Sequence, residues 1–278
     1  MVPAPMSGLE PRLLAREPWS VLDVVAWLAR EGRFQTQLPA LITALAERLH
    51  AAGAPVSRLY AAARTLHPQV MATTVEWLVG GKLHVTDIPH VFANIPEVVG
   101  SPIDRAATTG KPYRRRLTDL DRNRDHAILV EVAERGFTDY LALPILYADS
   151  ETGAVLIVNT TRAEGLAPGD IEGLRLIADY IAPVMEALSG AHVARTLLDT
   201  YLGRRTGRRV LRGDIQRGEG EHIRAAMWFS DLRESTRLSE ELSLSDLLEA
   251  LNQYFELVAA AVTPHGGEIL RFPGRSGC

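Results

Sequence analysis

The chain has 278 residues, of which 46% are hydrophobic and 23% are charged, a composition typical of a globular protein of one or two domains. Its formal net charge of −4 provides no global attraction to nucleic acid or to anionic lipid. The single cysteine, Cys278, excludes an intrachain disulfide and a cysteine-based metal site. No apolar run reaches the length of about 18 residues that a membrane span needs. We therefore expect a cytoplasmic protein with neither a nucleic-acid nor a membrane partner.

The first predicted elements are helices. Residues 1–17 lack the apolar core of a signal peptide and are predicted to be a lead-in. Residues 19–30 form a short amphipathic pattern, and residues 38–51 form a clear one. Its apolar face consists of Leu38, Leu41, Ile42, Leu45, Ala46 and Leu49. Stripes of this kind are typical of a core or a dimer seam.

From residue 56 the pattern changes to strands and shorter helices. Residues 56–65 and 69–79 favour strands, and Gly80-Gly81 closes the second with a turn. Residues 101–110 and 127–136 each favour a helix that ends at a glycine. Two further strands are predicted over 140–147 and 154–160, joined as a hairpin by 148–153. A closing helix follows over 166–188, and 191–202 extends it.

This order of elements describes an α+β sensory fold, and over residues 35–189 it resembles a GAF domain. The most informative segments are LALPILY (141–147) and GAVLIV (153–158), followed by the closing helix. Some GAF domains carry a bilin on a cysteine, but this segment has none. The spacing of His84, His90 and His126 is irregular, so we interpret them as solvated or hydrogen-bonded histidines rather than haem or metal ligands. The ligand of this domain stays open.

Residues 190–222 are predicted to be a helical, arginine-rich connector, with five arginines between residues 203 and 213. Such a cluster could bind phosphate or nucleic acid. The absence of interleaved aromatic residues and the acidic whole chain favour a solvated connector instead. Residues 213–220 lack the ending of a P-loop and carry acidic residues, so we interpret them as a turn.

Residues 223–278 follow a pattern of strand, turn, helix, turn and strand. The apolar run 225–229 favours a buried strand, and Asp231 stands at its end. A helix follows from Leu244 to Val262, and 268–272 favour a second strand. An aspartate at a strand end suits Mg²⁺ bound to a triphosphate, but it is also a common turn or cap residue.

Three motifs of this region resemble the opening of a class III nucleotide cyclase catalytic domain: FSDLREST (229–236), LNQYFE (251–256) and HGGEILRF (265–272). The resemblance implies an incomplete ferredoxin-like (palm) domain that converts ATP to 3′,5′-cyclic AMP and pyrophosphate with two Mg²⁺ or Mn²⁺ ions. It makes Asp231 the first metal ligand and Arg271 the reader of the purine base. It also implies a substrate-binding turn, formed by Leu232, Arg233, Glu234, Ser235 and Thr236.

The sequence departs from this family at the second metal position, where Arg275 replaces an aspartate. A guanidinium cannot coordinate Mg²⁺ and repels it. The chain then stops at Cys278, before the family's transition-state arginine. The family's motif at this position is Leu-Gly-Asp. If the codons for residues 273–278 are read one base later, they can encode this motif, which suggests a frameshift. Sequencing of the locus would test this hypothesis. We expect no cyclase activity from these residues alone.

The leading prediction is an adenylate cyclase regulated by a GAF-like domain and truncated in this chain, with a homodimer seam along 166–202. The alternative is a non-enzymatic GAF sensor and dimerisation module with a degenerate cyclase remnant. A diguanylate-type cyclase is disfavoured because its Gly-Gly-acidic-acidic-Phe hairpin is absent. The expected domains are a lead-in and short helix (1–34), the sensory domain (35–189), the connector (190–222) and the truncated cyclase domain (223–278).

Overall fold

A computed structural model of the chain describes residues 19–65, 70–89, 98–148, 153–202, 204–213, 226–230, 237–238, 242–265, 267 and 269. The chain divides into two units, Met1–Val193 and Ala194–Cys278. No helix in the described ranges combines the length and the apolar character that a membrane crossing requires.

The first unit combines helices with one antiparallel sheet. Its helices are α1 (Val21–Arg30), α2 (Leu38–Ala51), α3 (Pro102–Thr109), α4 (Ala127–Glu134) and most of α5 (Pro168–Leu202), and a 3-10 turn (Gly32–Phe34) follows α1. Its strands are β1 (Arg58–Arg64), β2 (Val70–Leu78), β3 (Lys82–Pro89), β4 (Tyr113–Arg116), β5 (Asp139–Ile145) and β6 (Ala154–Thr160). The described strands pair in the order β3-β2-β1-β6-β5-β4.

The first face of the sheet carries the larger apolar core. Side chains of α1, α2 and α5 pack there against alternate residues of β1, β2, β5 and β6. Trp19 Nε1 donates a hydrogen bond to the buried Asp170 Oδ1 over 3.0 Å, and this bond attaches the N-terminal end of α1 to the first turn of α5. Helix α1 therefore belongs to the same core as α2, although the sequence placed it ahead of the sensory domain.

The second face carries a smaller core, which α3 and α4 cover. Its buried members are Ala106, Leu117, Leu129, Val132, Phe137, Tyr140, Ala142, Val155 and Ile157. Local signals fix the covering helices. The Ser101 hydroxyl caps α3 by accepting from Asp104 N, and Gly110, with φ 62°, ends it. The sequence predicted this helix from its terminal Gly110 and from the shared side of Ile103, Ala106 and Ala107, and the Ser101 cap is an additional signal.

The predicted elements of the first unit are confirmed, but two strands were missed. Strand β3 follows the Gly80-Gly81 turn as an exposed edge strand, and β4 consists of one tyrosine and three arginines. Strand β4 is short and polar and gives a weak periodic signal, whereas β3 alternates Leu83 and Val85 with polar residues and was missed although its pattern is that of a strand. The predicted boundary of the sensory domain at residue 35 stays a prediction.

In the second unit the described helices are the end of α5, α6 (Arg204–Leu211) and α7 (Leu244–Val262), and a 3-10 turn (Thr263–His265) follows. The arginine-rich connector is therefore helical over α6. Helix α7 begins as predicted, since Ser243 Oγ accepts from Asp246 N over 3.2 Å.

The predicted buried strand over 225–229 is wrong for its described part. Residues 226–230 have no regular structure, and Met227, Trp228 and Phe229 are 81%, 64% and 87% exposed. A strand forms by pairing, and none of the described residues pairs with this segment. The predicted strand over 268–272 lies almost entirely outside the described residues.

Candidate functional site

The predicted cyclase site lies outside the described residues. These positions are Asp231, Leu232, Arg233, Glu234, Ser235, Thr236, Arg271 and Arg275. Next to this motif, the hydroxyl of Tyr254 on α7 donates a hydrogen bond to Ser230 Oγ over 2.8 Å. This bond holds the residue before Asp231 against α7.

The donor set at the predicted metal position does not fit a two-metal site. Asp231 offers one carboxylate, whereas the second position carries the cationic Arg275. Among the described residues, no three His, Cys, Asp or Glu side chains gather closely enough to hold a metal ion. We therefore derive no catalytic step through Mg²⁺ or Mn²⁺.

Of the three histidines considered as ligands, His126 has a structural partner. Its Nδ1 accepts from Ile128 N over 3.3 Å and caps α4. His84 lies on the exposed strand β3. His126 is therefore hydrogen-bonded and His84 is exposed, whereas His90 lies outside the described residues.

The second face of the sheet holds a row of polar residues that the sequence analysis did not identify. The register pairs Arg58 of β1 with Asn159 of β6, and Asn159 with Tyr140 of β5. Directly paired residues project from the same face of a sheet. The three side chains therefore lie side by side across adjacent strands, beneath the cover that α3 and α4 provide.

Arg58 lies at the centre of a buried ion network. Its side chain is almost fully buried and donates from Nε to Glu76 Oε1 and from Nη1 to Asn159 Oδ1, the latter over 2.8 Å. Arg135, at the end of α4, contacts the same Glu76 oxygen over 2.9 Å. Two guanidinium groups therefore share one carboxylate, and this group of three side chains carries a net charge of +1.

The electrostatics of Glu76 follow from this network. Burial opposes ionisation of the carboxyl group, but hydrogen bonds from Arg135 and Arg58 outweigh burial and hold the pKa of Glu76 below its ordinary value. The ion network is therefore formed at neutral pH.

Tyr140 stands next to this network with a hydroxyl that has no partner. The residue is 1% exposed, and its Oη makes no hydrogen bond within the described part of the chain. Burial raises the pKa of Tyr140, the charge of Arg58 lowers it, and Tyr60 and Tyr113 raise it. A buried hydroxyl without a partner costs about 1–3 kcal/mol, so its persistence requires a physical explanation.

Two further tyrosines, Tyr113 and Tyr60, lie near Tyr140. The ring of Tyr113 on β4 meets the Tyr140 ring edge to face, with centroids 6.4 Å apart. The guanidinium of Arg58 lies 4.9 Å from the centre of the Tyr60 ring. Burial raises the pKa of Tyr60, although a hydrogen bond with Thr74 and the charge of Arg58 lower it. The network, Asn159 and these rings form a polar and aromatic group inside an otherwise apolar layer, which we call the tyrosine–arginine site.

The residue that precedes Tyr140 connects this site to α5. The fully buried carboxylate of Asp139 accepts from Arg114 Nη2 over 2.7 Å and from the amide of Leu166 over 2.9 Å. It also accepts from Arg116 Nη1 over 3.4 Å. Leu166 lies two residues before α5 begins. A displacement of β5 at Tyr140 would therefore reach the start of α5 through one side chain.

The sequence offered a weak signal for the tyrosine–arginine site. Asn159 interrupts the apolar strand β6, and Arg58 opens the small-residue strand β1. A polar residue in a buried strand is the observation that could have identified them. Their proximity to Glu76 and Tyr140 depends on strand order, which no local pattern provides.

Comparison with known proteins gives matches only to solved structures, since neither a protein-family model nor a curated protein matches the chain. The GAF domain of a two-component sensor histidine kinase from Bacillus halodurans is 17% identical, with a TM-score of 0.43, and the match covers 57% of this chain and 99% of that one. The phycoerythrobilin-bound GAF domain of a cyanobacterial phytochrome is 15% identical, with a TM-score of 0.45 and coverages of 62% and 97%.

A free methionine-R-sulfoxide reductase from Neisseria meningitidis is similar to the same extent, at 17% identity, a TM-score of 0.43 and coverages of 66% and 96%. At these identities and scores the similarities establish neither a family nor a function. The chain has a mixed fold of helices and an antiparallel sheet, and it resembles GAF domains in layout.

Proposed function

We propose that the first unit is a GAF-like sensory module, which binds a small molecule at the tyrosine–arginine site and transmits binding through α5. The observation that carries the proposal is the unpartnered Tyr140 hydroxyl beside a buried ion network. A buried polar group without a partner is one that a ligand can satisfy.

The transmission step rests on the position of Asp139. Its carboxylate holds the Leu166 amide, while the next residue, Tyr140, faces the site. Binding that shifts β5 would alter this hydrogen bond and thereby the first turn of α5. Hydrogen exchange tests the step: a compound that binds at Tyr140 should change the exchange rate of the Leu166 amide, and an unchanged rate with the site occupied would contradict it.

We also propose that α5 forms the seam of a homodimer. Leu176, Tyr180, Pro183, Ala187 and Gly190 recur at alternating spacings of four and three residues, which is the coiled-coil repeat. Apart from the half-buried Leu176 they are exposed, and Tyr180 is 48% exposed. Small residues at the centre of such a stripe allow two helices to approach closely.

Light scattering of the purified chain tests the seam. The substitution Ala187→Glu places a charge at its centre and should produce a monomer, whereas His192→Glu changes an exposed residue on another side of the helix and should leave the dimer intact. A monomer in the unmodified chain, or equal effects of both substitutions, would contradict the seam.

The second candidate function is adenylate cyclase activity in the C-terminal unit, regulated by the sensory module in the cytoplasm. The ordered motifs FSDLREST, LNQYFE and HGGEILRF favour it, with ATP as the substrate and Asp231 as the metal ligand. Arg275 argues against turnover, because it replaces the second carboxylate. We expect no cyclic AMP from the purified chain with ATP and either Mg²⁺ or Mn²⁺. Formation of cyclic AMP would establish the enzymatic alternative.

A further inference from the structure

We propose that the tyrosine–arginine site binds a small organic acid, whose carboxylate accepts hydrogen bonds from the Tyr140 hydroxyl and the Arg58 guanidinium and whose apolar body lies on the second face of the sheet. The proposal rests on the sensory function proposed above and names the class of its ligand.

The first argument is the direction of the missing hydrogen bond. The O–H group of Tyr140 needs an acceptor, and its charged neighbour Arg58 has only donors. The side-chain oxygen of Asn159, which pairs with Tyr140 across the strands, already accepts from Arg58. The two hydrogen bonds of Arg58 to Glu76 and Asn159 use Nε and Nη1, and a guanidinium has five N–H groups. The proposed carboxylate would accept from both side chains.

The second argument is charge. Arg58 and Arg135 share the single carboxylate of Glu76, so the group carries one excess positive charge. Arg135 is 34% exposed and partly solvated, whereas the Arg58 side chain is 8% exposed, so a second anion would balance the charge most effectively beside Arg58. Charged groups in protein interiors are stable when they are paired. A neutral amide could satisfy the Tyr140 hydroxyl but would leave this excess charge unchanged, and the site therefore favours an anion.

The third argument is the character of the surroundings. The row next to Arg58, Asn159 and Tyr140 pairs Tyr60 with Ile157 and Ile157 with Ala142. Leu129 and Val132 of α4 belong to the same apolar cluster. A strongly hydrated phosphate finds no further donors in that cluster, whereas the hydrocarbon part of an organic acid gains from burial there.

The test uses matched pairs of anionic and neutral probes: benzoate with benzamide, hexanoate with hexanamide, and inorganic phosphate alone. Binding to the full chain is measured by calorimetry. At least one carboxylate should bind, and its amide should bind at least about tenfold more weakly, because a charge-assisted hydrogen bond is lost.

Two conservative variants provide the control. Tyr140→Phe should weaken carboxylate binding about tenfold or more. Tyr147→Phe removes another buried hydroxyl without a partner, one that packs against the first face, and should leave the affinity unchanged. The NMR signal of Arg58 Nε–H provides a measurement that needs no variant, since carboxylates should shift it and amides should not.

Equal binding of the carboxylates and their amides would overturn the organic-acid class while leaving a sensory site in place. Binding of phosphate alone, equal losses in the two variants, or no binding by any probe would also overturn it. The sensory function is tested separately: it is contradicted if neither neutral nor charged compounds change the NMR signal of Tyr140 or the hydrogen exchange of the Leu166 amide.

Discussion

Each face of the sheet buries a tyrosine hydroxyl that has no hydrogen-bond partner among the described residues: Tyr147 beside the first core and Tyr140 within the second. Their neighbours differ. The charged group that acts on Tyr147 is Glu186, whose Oε1 accepts from Ala148 N over 3.1 Å, whereas the one that lowers the pKa of Tyr140 is Arg58. A carboxylate can satisfy a phenol proton after a small rotation, but a guanidinium cannot. The acceptor oxygen of Asn159, which pairs with Tyr140 across the strands, already accepts from Arg58, so the missing hydrogen bond is a stronger sign of a ligand at Tyr140 than at Tyr147.

The largest expected effect comes from breaking the link between the second face and α5. Asp139→Ala removes the acceptor that Arg114, Arg116 and the Leu166 amide share, and it should lower the free energy of unfolding by about 3 kcal/mol. Urea denaturation measures the loss. Asp119→Ala, which removes an exposed partner of Arg115, should cost no more than about 0.5 kcal/mol. Similar losses in both variants would contradict the central role of Asp139.

The next effect tests the packing of the first face. A Cβ atom at Gly173 of α5 would lie 2.6 Å from Val21 Cγ2 and 3.0 Å from Trp19 Cζ2. Gly173→Ala should therefore destabilise the chain by about 1–3 kcal/mol through overpacking against α1. Gly169→Ala, in the same helix, meets no atom within 4 Å and should be neutral or stabilising by up to about 1 kcal/mol. Thermal unfolding of the two variants measures the difference, and equal melting temperatures would show that α1 does not pack on α5 as described.

A smaller effect is expected in the pH dependence of stability. The pKa of Glu76 is lower in the folded state than in the unfolded state. At a pH near or between these two values, the unfolded state therefore binds more protons than the folded state does. Its stabilising contribution is present above the unfolded pKa and is lost as the pH falls through the folded pKa. As the pH is lowered from about 6 to about 3, the free energy of unfolding should decrease more steeply for the unmodified chain than for Glu76→Gln. Parallel curves for the two proteins would contradict the network.

The smallest expected effect returns to the two tyrosines. Without ligand, Tyr140→Phe and Tyr147→Phe should each leave stability unchanged or raise it by up to about 1 kcal/mol, since each removes a hydroxyl without a partner. Chemical denaturation measures both. A clear loss of stability in Tyr140→Phe would mean that its hydroxyl already has a partner, and the comparison of the two faces would then lose its basis.

The elements that the sequence predicted best are those with strong local signals. Helix α2 and strand β6 have the predicted bounds because α2 shows an apolar helical periodicity, β6 is a continuous apolar run, and turn residues flank them. Strand β4 was missed because Tyr113–Arg116 contains three arginines. Arg114 and Arg116 bind Asp139, and Arg115 binds Asp125, so their carboxylate partners lie outside the segment. The strand predicted over 225–229 failed because an apolar run becomes a strand only when another strand pairs with it.

The candidate site could not be predicted from the sequence in the same way. Arg58, Glu76, Arg135 and Tyr140 come from separate elements. Glu76 meets Arg58 because β2 pairs with β1, Arg135 reaches Glu76 from the end of α4, and Tyr140 lies near Arg58 because β6 lies between β1 and β5. Motif analysis directed attention to Asp231, whose motif is contiguous and therefore visible in one segment. Sites assembled by strand order are visible only once the sheet is known.

The most direct test of the sensory site is a fragment screen by NMR, with the Cζ atoms of the seven tyrosines labelled with ¹³C. Fragments that bind should shift the signals of Tyr140, Tyr60 and Tyr113 together and leave Tyr147 unchanged. If bound fragments shift Tyr147 and leave Tyr140 unchanged, or if no fragment moves the Tyr140 signal, the second face of the sheet is not the ligand site.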